Sequence, residues 1–361
     1  MQGRITVTMQ FQIGQLAFRE RSIDLGDDHL VELLDIVGSG CFAKVYRARL
    51  HVPSGVHRKV AVKVFSSVAH EEDRSYTQLV RTACRVACID HPGVVRLYDC
   101  GLWRAQAFVI SELVEGVSLA RIVDALAARH ARLPLDVALF IACEVAEALS
   151  AARTARDHDG VRLGLVHHSV CPREVLLSWR GEEKVTDFEA TLARAGSSSI
   201  RSLRAVASRT AAMAPEVASG ALGDARSDVF SLGVLLHELL LGPRFPVGLV
   251  TSDLLLLARE GYIHPLTCHP NLPGDLAAVI ARCLALDPAA RYPHATALAY
   301  ELRRVAFGMG VGDGRQFLRT WLAREGDDDE VTTERAPEDD LEDGDYDDEV
   351  IYLFDVPNRR A

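Results

Sequence analysis

The sequence predicts an α+β protein of two lobes: a small antiparallel β lobe with one helix, then a larger, mostly helical lobe, then an acidic tail. Three observations predict it. Between residues 30 and 111, short runs of Val, Ile, Phe and Tyr recur between turn signals, with a single helical stretch among them. Beyond Gly116 the apolar residues fall at helical spacing. Residues 325–349 hold fifteen Asp or Glu and one Arg, a net of −14, so the rest of a chain whose total is −10 carries +4. Such a block of like charge reads as a disordered segment or an interaction arm.

The small lobe, 29–115, is expected to hold strands at 31–37, 44–48, 59–65, 94–98 and 107–111. Its helix, 75–89, stops before His91-Pro92, because proline steers the residue before it out of the α region. The larger lobe, 116–307, includes an amphipathic helix at 135–153, on which Val137, Phe140, Ile141, Val145 and Leu149 lie near one face. The stretch 228–241 is apolar almost all round and marks a central buried helix. Helices at 276–286 and 295–306 follow. Residues 1–28 read as an extension with a strand or two around 5–13. Gly308, Gly310, Gly312 and Gly314 read as a linker, so 308–324, with a short helix at 316–324, falls outside the two lobes. The tail, 325–361, ends in an apolar motif at 350–354 that could dock on a sheet edge or groove of this chain or of a partner.

Composition narrows the function classes. The chain is 48% hydrophobic and 25% charged, as in an ordinary globular protein. No apolar run approaches the roughly 18 residues of a membrane-spanning helix, and the first residues lack the apolar stretch of a secretory signal. No basic stripe points to nucleic acid. Eight scattered cysteines without a C-x-x-C pair favour reduced thiols and a cytoplasmic setting. Cys84 and Cys88, at i, i+4, read as small buried residues. His264, Cys268 and His269 lack a fourth ligand and read as a surface loop. Neither membrane nor nucleic acid is expected as a partner, which leaves small molecules and other proteins.

Several motifs then fall in a fixed order. Gly38-Ser39-Gly40-Cys41-Phe42-Ala43 lies between two strands, where small residues let backbone N–H groups approach phosphates. Val60-Ala61-Val62-Lys63 follows on the next strand. His167-His168-Ser169-Val170-Cys171-Pro172-Arg173-Glu174 precedes Asp187-Phe188-Glu189, and Ala214-Pro215-Glu216 comes after. In this order and spacing, residues 29–307 resemble the protein kinase family, most of all its bacterial Ser/Thr members. The resemblance implies the kinase fold, ATP as ligand and Mg²⁺ as its companion. It places Gly38 and Gly40 over the phosphates, Lys63 against them, and Val45, Ala61 and Leu176 around the adenine. Residues 108–116 become the hinge, with Ser111 as a small gatekeeper and Glu112 and Val114 at the adenine edge. Asp187 and Glu174 become the candidate Mg²⁺ ligands. Asp228 becomes the brace of the catalytic loop, and Arg291 the partner of Glu216.

The departures from the family pattern fall on charged catalytic positions. Ser169 stands where the pattern has its base Asp, Cys171 where many members have Lys, and Glu174 where it has a metal-binding Asn. Thr82 falls where the helix glutamate that pairs with the lysine belongs, Glu189 replaces the last Gly of D-F-G, and Arg209 replaces a Thr that contacts the base. Ser169 cannot accept a proton near neutral pH, and a positioned base is worth roughly 10²–10⁴ in rate. His168 takes the place of an arginine that reads a phosphorylated loop, although the Ser- and Arg-rich segment 190–213 could still be phosphorylated. Three readings stay open: a nucleotide-binding pseudokinase that acts through a protein partner, a weakly active Ser/Thr kinase, and a scaffold that binds no nucleotide.

Overall fold

Six strands form one antiparallel sheet in the small lobe: β1 (Ser22–Gly26), β2 (His29–Ser39), β3 (Ala43–His51), β4 (His57–Val68), β5 (Leu97–Trp103) and β6 (Gln106–Glu112). Their order is β1-β2-β3-β4-β6-β5. The computed structural model describes residues 22–26, 29–39, 43–68, 74–168, 170–188, 209–246, 248–263, 272–311 and 314–327. The expected strand at 5–13, Gly40, Ser169, Glu189, most of the Ser/Arg-rich segment, His264, Cys268, His269 and the tail beyond 327 lie outside these residues.

Alternation along β4 builds two surfaces at once. Val60, Val62 and Val64 join Ile23, Val31 and Ile110 in a core on the outer face. Ala61, Lys63 and Phe65 point the other way. On that side lies helix α1 (Arg74–Val86), which buries Leu79, Thr82, Ala83 and Val86 at the i, i+3, i+4, i+7 spacing of one helical face. Cys84 lies off this face and is exposed, so the expectation of a buried Cys84 fails. Cys88 is half-buried beyond the helix end, its thiol donating to the Cys84 carbonyl at 3.3 Å.

The small lobe also begins earlier than expected. Strand β1 falls within residues 1–28, pairs with β2 from Ser22↔Glu32 to Gly26↔His29, and buries Ile23. The Trp103 indole N–H donates to the Ser22 carbonyl at 3.1 Å and ties β1 to the far edge of the sheet.

The large lobe is built on α3 (Leu135–Thr154) and α5 (Ala225–Leu240), both buried over most of their surface. Around them lie β7 (Gly116–Ser118), α2 (Leu119–Ala128), β8 (Val175–Ser178), β9 (Glu183–Val185), α4 (Pro215–Ala218), α6 (Thr251–Arg259), α7 (Gly274–Cys283) and α8 (Ala295–Gly308). Strands β7, β8 and β9 form a second, three-stranded sheet beneath the cleft. A last helix, α9 (Gly314–Asp327), contains the short helix expected at 316–324 and begins two residues earlier, but it packs on the large lobe and does not stand outside it. Leu318 and Leu322 on α9 are buried in the main core, against the same cluster as α3. Among the described residues no helix is long and apolar enough to cross a membrane.

Candidate active site

The cleft between the lobes is shaped by strand register. Val45 on β3 pairs with Lys63 on β4, and Ala61 pairs with Ser111 on β6, which brings their side chains to one surface. From the small lobe, Val37, Val45 and Ala61 form an apolar roof. From below, Val95, Val114 and Leu176 form the floor. Glu112, Leu113 and Val114 close the back edge as a polar-backed strand end. The adenine-slot residues expected from the sequence therefore meet, except that Gly38 does not line the cleft and Gly40 is not described. Behind Ser111 the cleft continues toward Val86, Leu97, Val109 and Phe188, because a serine at that position leaves the passage open. The cleft measures about 600 Å³ out to its open mouth, but only about 40 Å³ of it admits the centre of a water-sized sphere. It is an apolar slot with Lys63 and Asp187 at one end, and it is nearly shut.

The catalytic loop keeps the family's backbone frame. Both carboxylate oxygens of Asp228, at the start of α5, accept from backbone N–H groups, His167 at 3.0 Å and His168 at 2.7 Å. His168 and Asp187 both hold positive φ, 72° and 68°, a strained left-handed conformation that these anchored turns enforce. The His167 ring meets Phe188 edge-on at 4.7 Å and bonds through Nε2 to the Thr186 carbonyl at 2.9 Å. Burial holds the His168 imidazole below its ordinary value, against the pull of Asp228. The ring is therefore neutral near pH 7 and is no replacement for a phosphate-reading arginine.

Inside that frame the ionic groups pair with one another. Lys63 Nζ lies 2.6 Å from Asp187 Oδ1. Thr82, at the position where the family pattern has its helix glutamate, is buried, and its hydroxyl donates to the Gln78 carbonyl of its own helix at 2.9 Å. Arg209 reaches in from the end of the activation segment. Its Nε sits 3.1 Å from Glu174 Oε1, and its Nη2 lies 3.8 Å from Asp187 Oδ2. The other Glu174 oxygen accepts from the Cys171 N–H at 3.2 Å and from the Cys171 thiol. Burial pushes the Asp187 carboxyl up, but Lys63 and Arg209 outweigh it and hold the group below its ordinary value. Burial likewise opposes the Arg209 charge, and Glu174 and Asp187 overcome it.

The expected Mg²⁺ pair, Asp187 and Glu174, is thus brought together with a guanidinium bridging it. A hard cation such as Mg²⁺ needs carboxylate oxygens free to enter its octahedral shell. Here all four oxygens of the pair face a protein cation or donor. Among the described residues no group of three or more His, Cys, Asp or Glu assembles with metal-holding geometry. The residues as arranged do not fit the metal.

Around the site the bracing pairs form as expected. Arg291 makes two bonds to Glu216, Nη1–Oε1 at 2.8 Å and Nη2–Oε2 at 2.9 Å, a fork geometry that fixes orientation as well as charge. Two supports escaped the sequence. Arg244, completely buried, donates to the carbonyls of Ala211 and Met213 at 2.7 and 2.9 Å and so fixes the segment that carries Arg209. Lys184 on β9 bridges the Pro92 carbonyl at 2.8 Å and Glu112 at 2.9 Å, locking the hinge to the floor of the cleft. Neither sits in a motif, and their backbone partners carry no residue signature.

A β lobe over a helical lobe, with an apolar slot, a lysine and an aspartate at the seam, defines the two-lobed kinase fold. The model of the protein tyrosine and serine/threonine kinase family matches residues 31–302, and the chain belongs to that family, near its bacterial Ser/Thr members. It is 33% identical over 282 residues to the serine/threonine-protein kinase PknB of Mycobacterium leprae, covering 77% of this chain and 43% of that protein. To the serine/threonine-protein kinase PksC of Streptomyces coelicolor it is 30% identical over 282 residues, covering 76% of this chain and 49% of that one. The chain thus spans less than half the length of these relatives. In fold it is similar to two crystal structures of the Mycobacterium tuberculosis PknI kinase domain, with TM-scores of 0.57 and 0.55. Each is 22% identical, and the match covers 76% of this chain and 95% of the other.

Proposed function

We propose that this chain is a pseudokinase: a kinase-fold module that binds a nucleotide in its cleft, transfers no phosphate, and acts through a protein partner in cytoplasmic signalling. One observation carries the reading. The ionic groups that would handle a triphosphate are engaged with each other, Lys63 with Asp187 and Arg209 with both Asp187 and Glu174. The chain also lacks the base and the helix glutamate of the family pattern, with Ser169 and Thr82 in their places. Packing residues of the slot and braces such as Asp228 and Arg291 are kept, which suits a domain selected for its shape and its ligand.

The second reading, a weakly active Ser/Thr kinase, draws on the activities printed in the names of its relatives. Phosphoryl transfer rests mainly on positioning and electrostatics, so loss of the base alone does not abolish it. Incubation with labelled ATP and a generic basic substrate separates the two. The pseudokinase reading expects no incorporation above that of Asp187→Ala, whereas Asp187-dependent labelling of the chain or the substrate defeats it. Nucleotide binding is read separately by thermal shift with ATP. A rise in melting temperature that Lys63→Ala abolishes is expected, and its absence would leave only the scaffold reading.

A further inference from the structure

We propose that Arg209 is a resident cation in the place of the catalytic metal, and that it excludes divalent ions from the Asp187–Glu174 pair. The proposal deepens the reading above and rests on it in taking Asp187 and Glu174 for the family's metal positions.

The charges balance without a metal. Among the described residues, two carboxylates, Asp187 and Glu174, face two cations, Lys63 and Arg209. Glu174 is only 2% exposed, so its charge has little water to lean on and depends on the guanidinium 3.1 Å away. An arginine suits this task because its planar fork addresses two acceptors at once and stays charged at any working pH. It is also held at its base. Arg244 grips the carbonyls of Ala211 and Met213, and the Ser231 hydroxyl donates to the Ala212 carbonyl at 2.7 Å. The chain segment that carries Arg209 is therefore tied to α5 and its C-terminal flank.

Entry of a divalent ion requires the guanidinium to leave the carboxylates, which breaks its 3.1 Å contact with the buried Glu174 and sets two cations, the ion and Arg209, against each other. Thr, the residue the family pattern places here, is short and uncharged. With Thr at 209 the pair would carry a net negative charge against Lys63 alone and would attract a divalent ion. The exchange of one neutral residue for one cation thus converts a metal site into a closed ion-pair cluster.

Mn²⁺ titration followed by the electron paramagnetic resonance of the free ion tests this in the whole chain without nucleotide, so its outcome does not depend on the ATP and phosphotransfer assays. The acidic tail is expected to bind Mn²⁺ loosely, and Asp187→Asn supplies the background. The wild type and Asp187→Asn are expected to give the same curve. Arg209→Thr is expected to gain one Mn²⁺ site at least about tenfold tighter than any in the wild type, because the site loses a nearby cation. The gain should vanish in the double variant Arg209→Thr/Asp187→Asn. Arg209→Gln, closer in size to arginine, serves as the second variant should the first fold poorly. A wild-type Mn²⁺ site that Asp187→Asn abolishes overturns the proposal. So does the absence of a gain in folded Arg209→Thr or Arg209→Gln.

Discussion

Glu238, near the end of α5, and Arg244, just beyond it, show how burial and pairing compete at a single residue. Burial pushes the Glu238 carboxyl up, the nearby Arg244 pulls it down and Asp124 raises it further, leaving it at about 7 against an ordinary 4.5. Burial in turn lowers Arg244 to about 10, though Glu238 supports its charge. A carboxyl raised on folding adds stability that is complete below its unfolded value and is lost as pH rises through its folded value. Glu238 therefore favours folding below pH 4.5, and that contribution drains away between pH 4.5 and about 7. Urea unfolding of wild type and Glu238→Gln at pH 5 and pH 8 should show the variant gaining relative stability by about 1–2 kcal/mol across that interval. Identical pH slopes would show that the group is not raised. Arg244 itself stacks between Phe230 and Phe245, at 4.9 and 4.7 Å, while feeding backbone carbonyls of Ala211, Met213 and Tyr262. Arg244→Met should cost about 3–5 kcal/mol in the same experiment, because buried acceptors lose their donor and Glu238 loses its cation. A loss below 1 kcal/mol would mean that water replaces it, as at a surface pair. The sequence marks Asp228, Glu216 and Arg291 because each stands at a set distance from a motif. Arg244 has no such marker, since most of its partners are backbone carbonyls whose position only the fold decides.

At the scale of elements, the strands and helices are legible because their spacing is regular, but the first strand and the docking of the last helix are not. Strand β1 is five residues long, and only Ile23 and Leu25 signal its buried alternation. Helix α9 carries a polar majority and follows a run of alternating glycines, which resembles a linker until its docking site is known. That site explains one of the glycines. A Cβ on Gly314 would lie 2.1 Å from Cδ2 of Phe140 on α3, so the helix can approach only where no side chain intervenes. Leu318 and Leu322 then bury fully, and Arg129 at the end of α2 pairs with Glu325 near the end of α9. Leu318→Ala and Leu322→Ala should each lower unfolding free energy by about 2–5 kcal/mol, the cost of emptying a packed leucine site. Gly314→Ala should cost about 1–3 kcal/mol, because the Phe140 ring must shift. If all three leave the denaturant midpoint unchanged, α9 is an appendage after all and the reading of 308–324 as a linker returns.

At the scale of the whole molecule, the question is what keeps the lobes closed. Several contacts cross the seam, the Lys184 bridge to Pro92 and Glu112 among them. Val95 and Val185 pair through backbone, with Val95 N–H donating to the Val185 carbonyl at 2.9 Å. Arg85, on α1, donates to the Leu163 carbonyl at 2.7 Å. Lys63, on the sheet, meets Asp187, on the large lobe, at the mouth of a nearly filled cleft. Of these, the Lys63–Asp187 pair lies in the cleft itself, where the family pattern places its phosphate-pairing lysine. Lys63→Met removes it and leaves Asp187 to Arg209 at 3.8 Å, so the loss should be about 3 kcal/mol or less rather than that of a fully stranded charge. Its main effect should be on motion: faster hydrogen–deuterium exchange in β4 and α1, with little change in α3 and α5, which pack within the large lobe. Uniformly faster exchange would point to general destabilisation, and no change would show that packing alone holds the lobes. In acid the sign reverses relative to Glu238. Asp187 sits below its ordinary 3.8, so its contribution is present at neutral pH and is lost as pH falls through that lowered value. The closed state set by Lys63, Asp187 and Arg209 is thus fully supported at neutral pH and weakens only in strong acid.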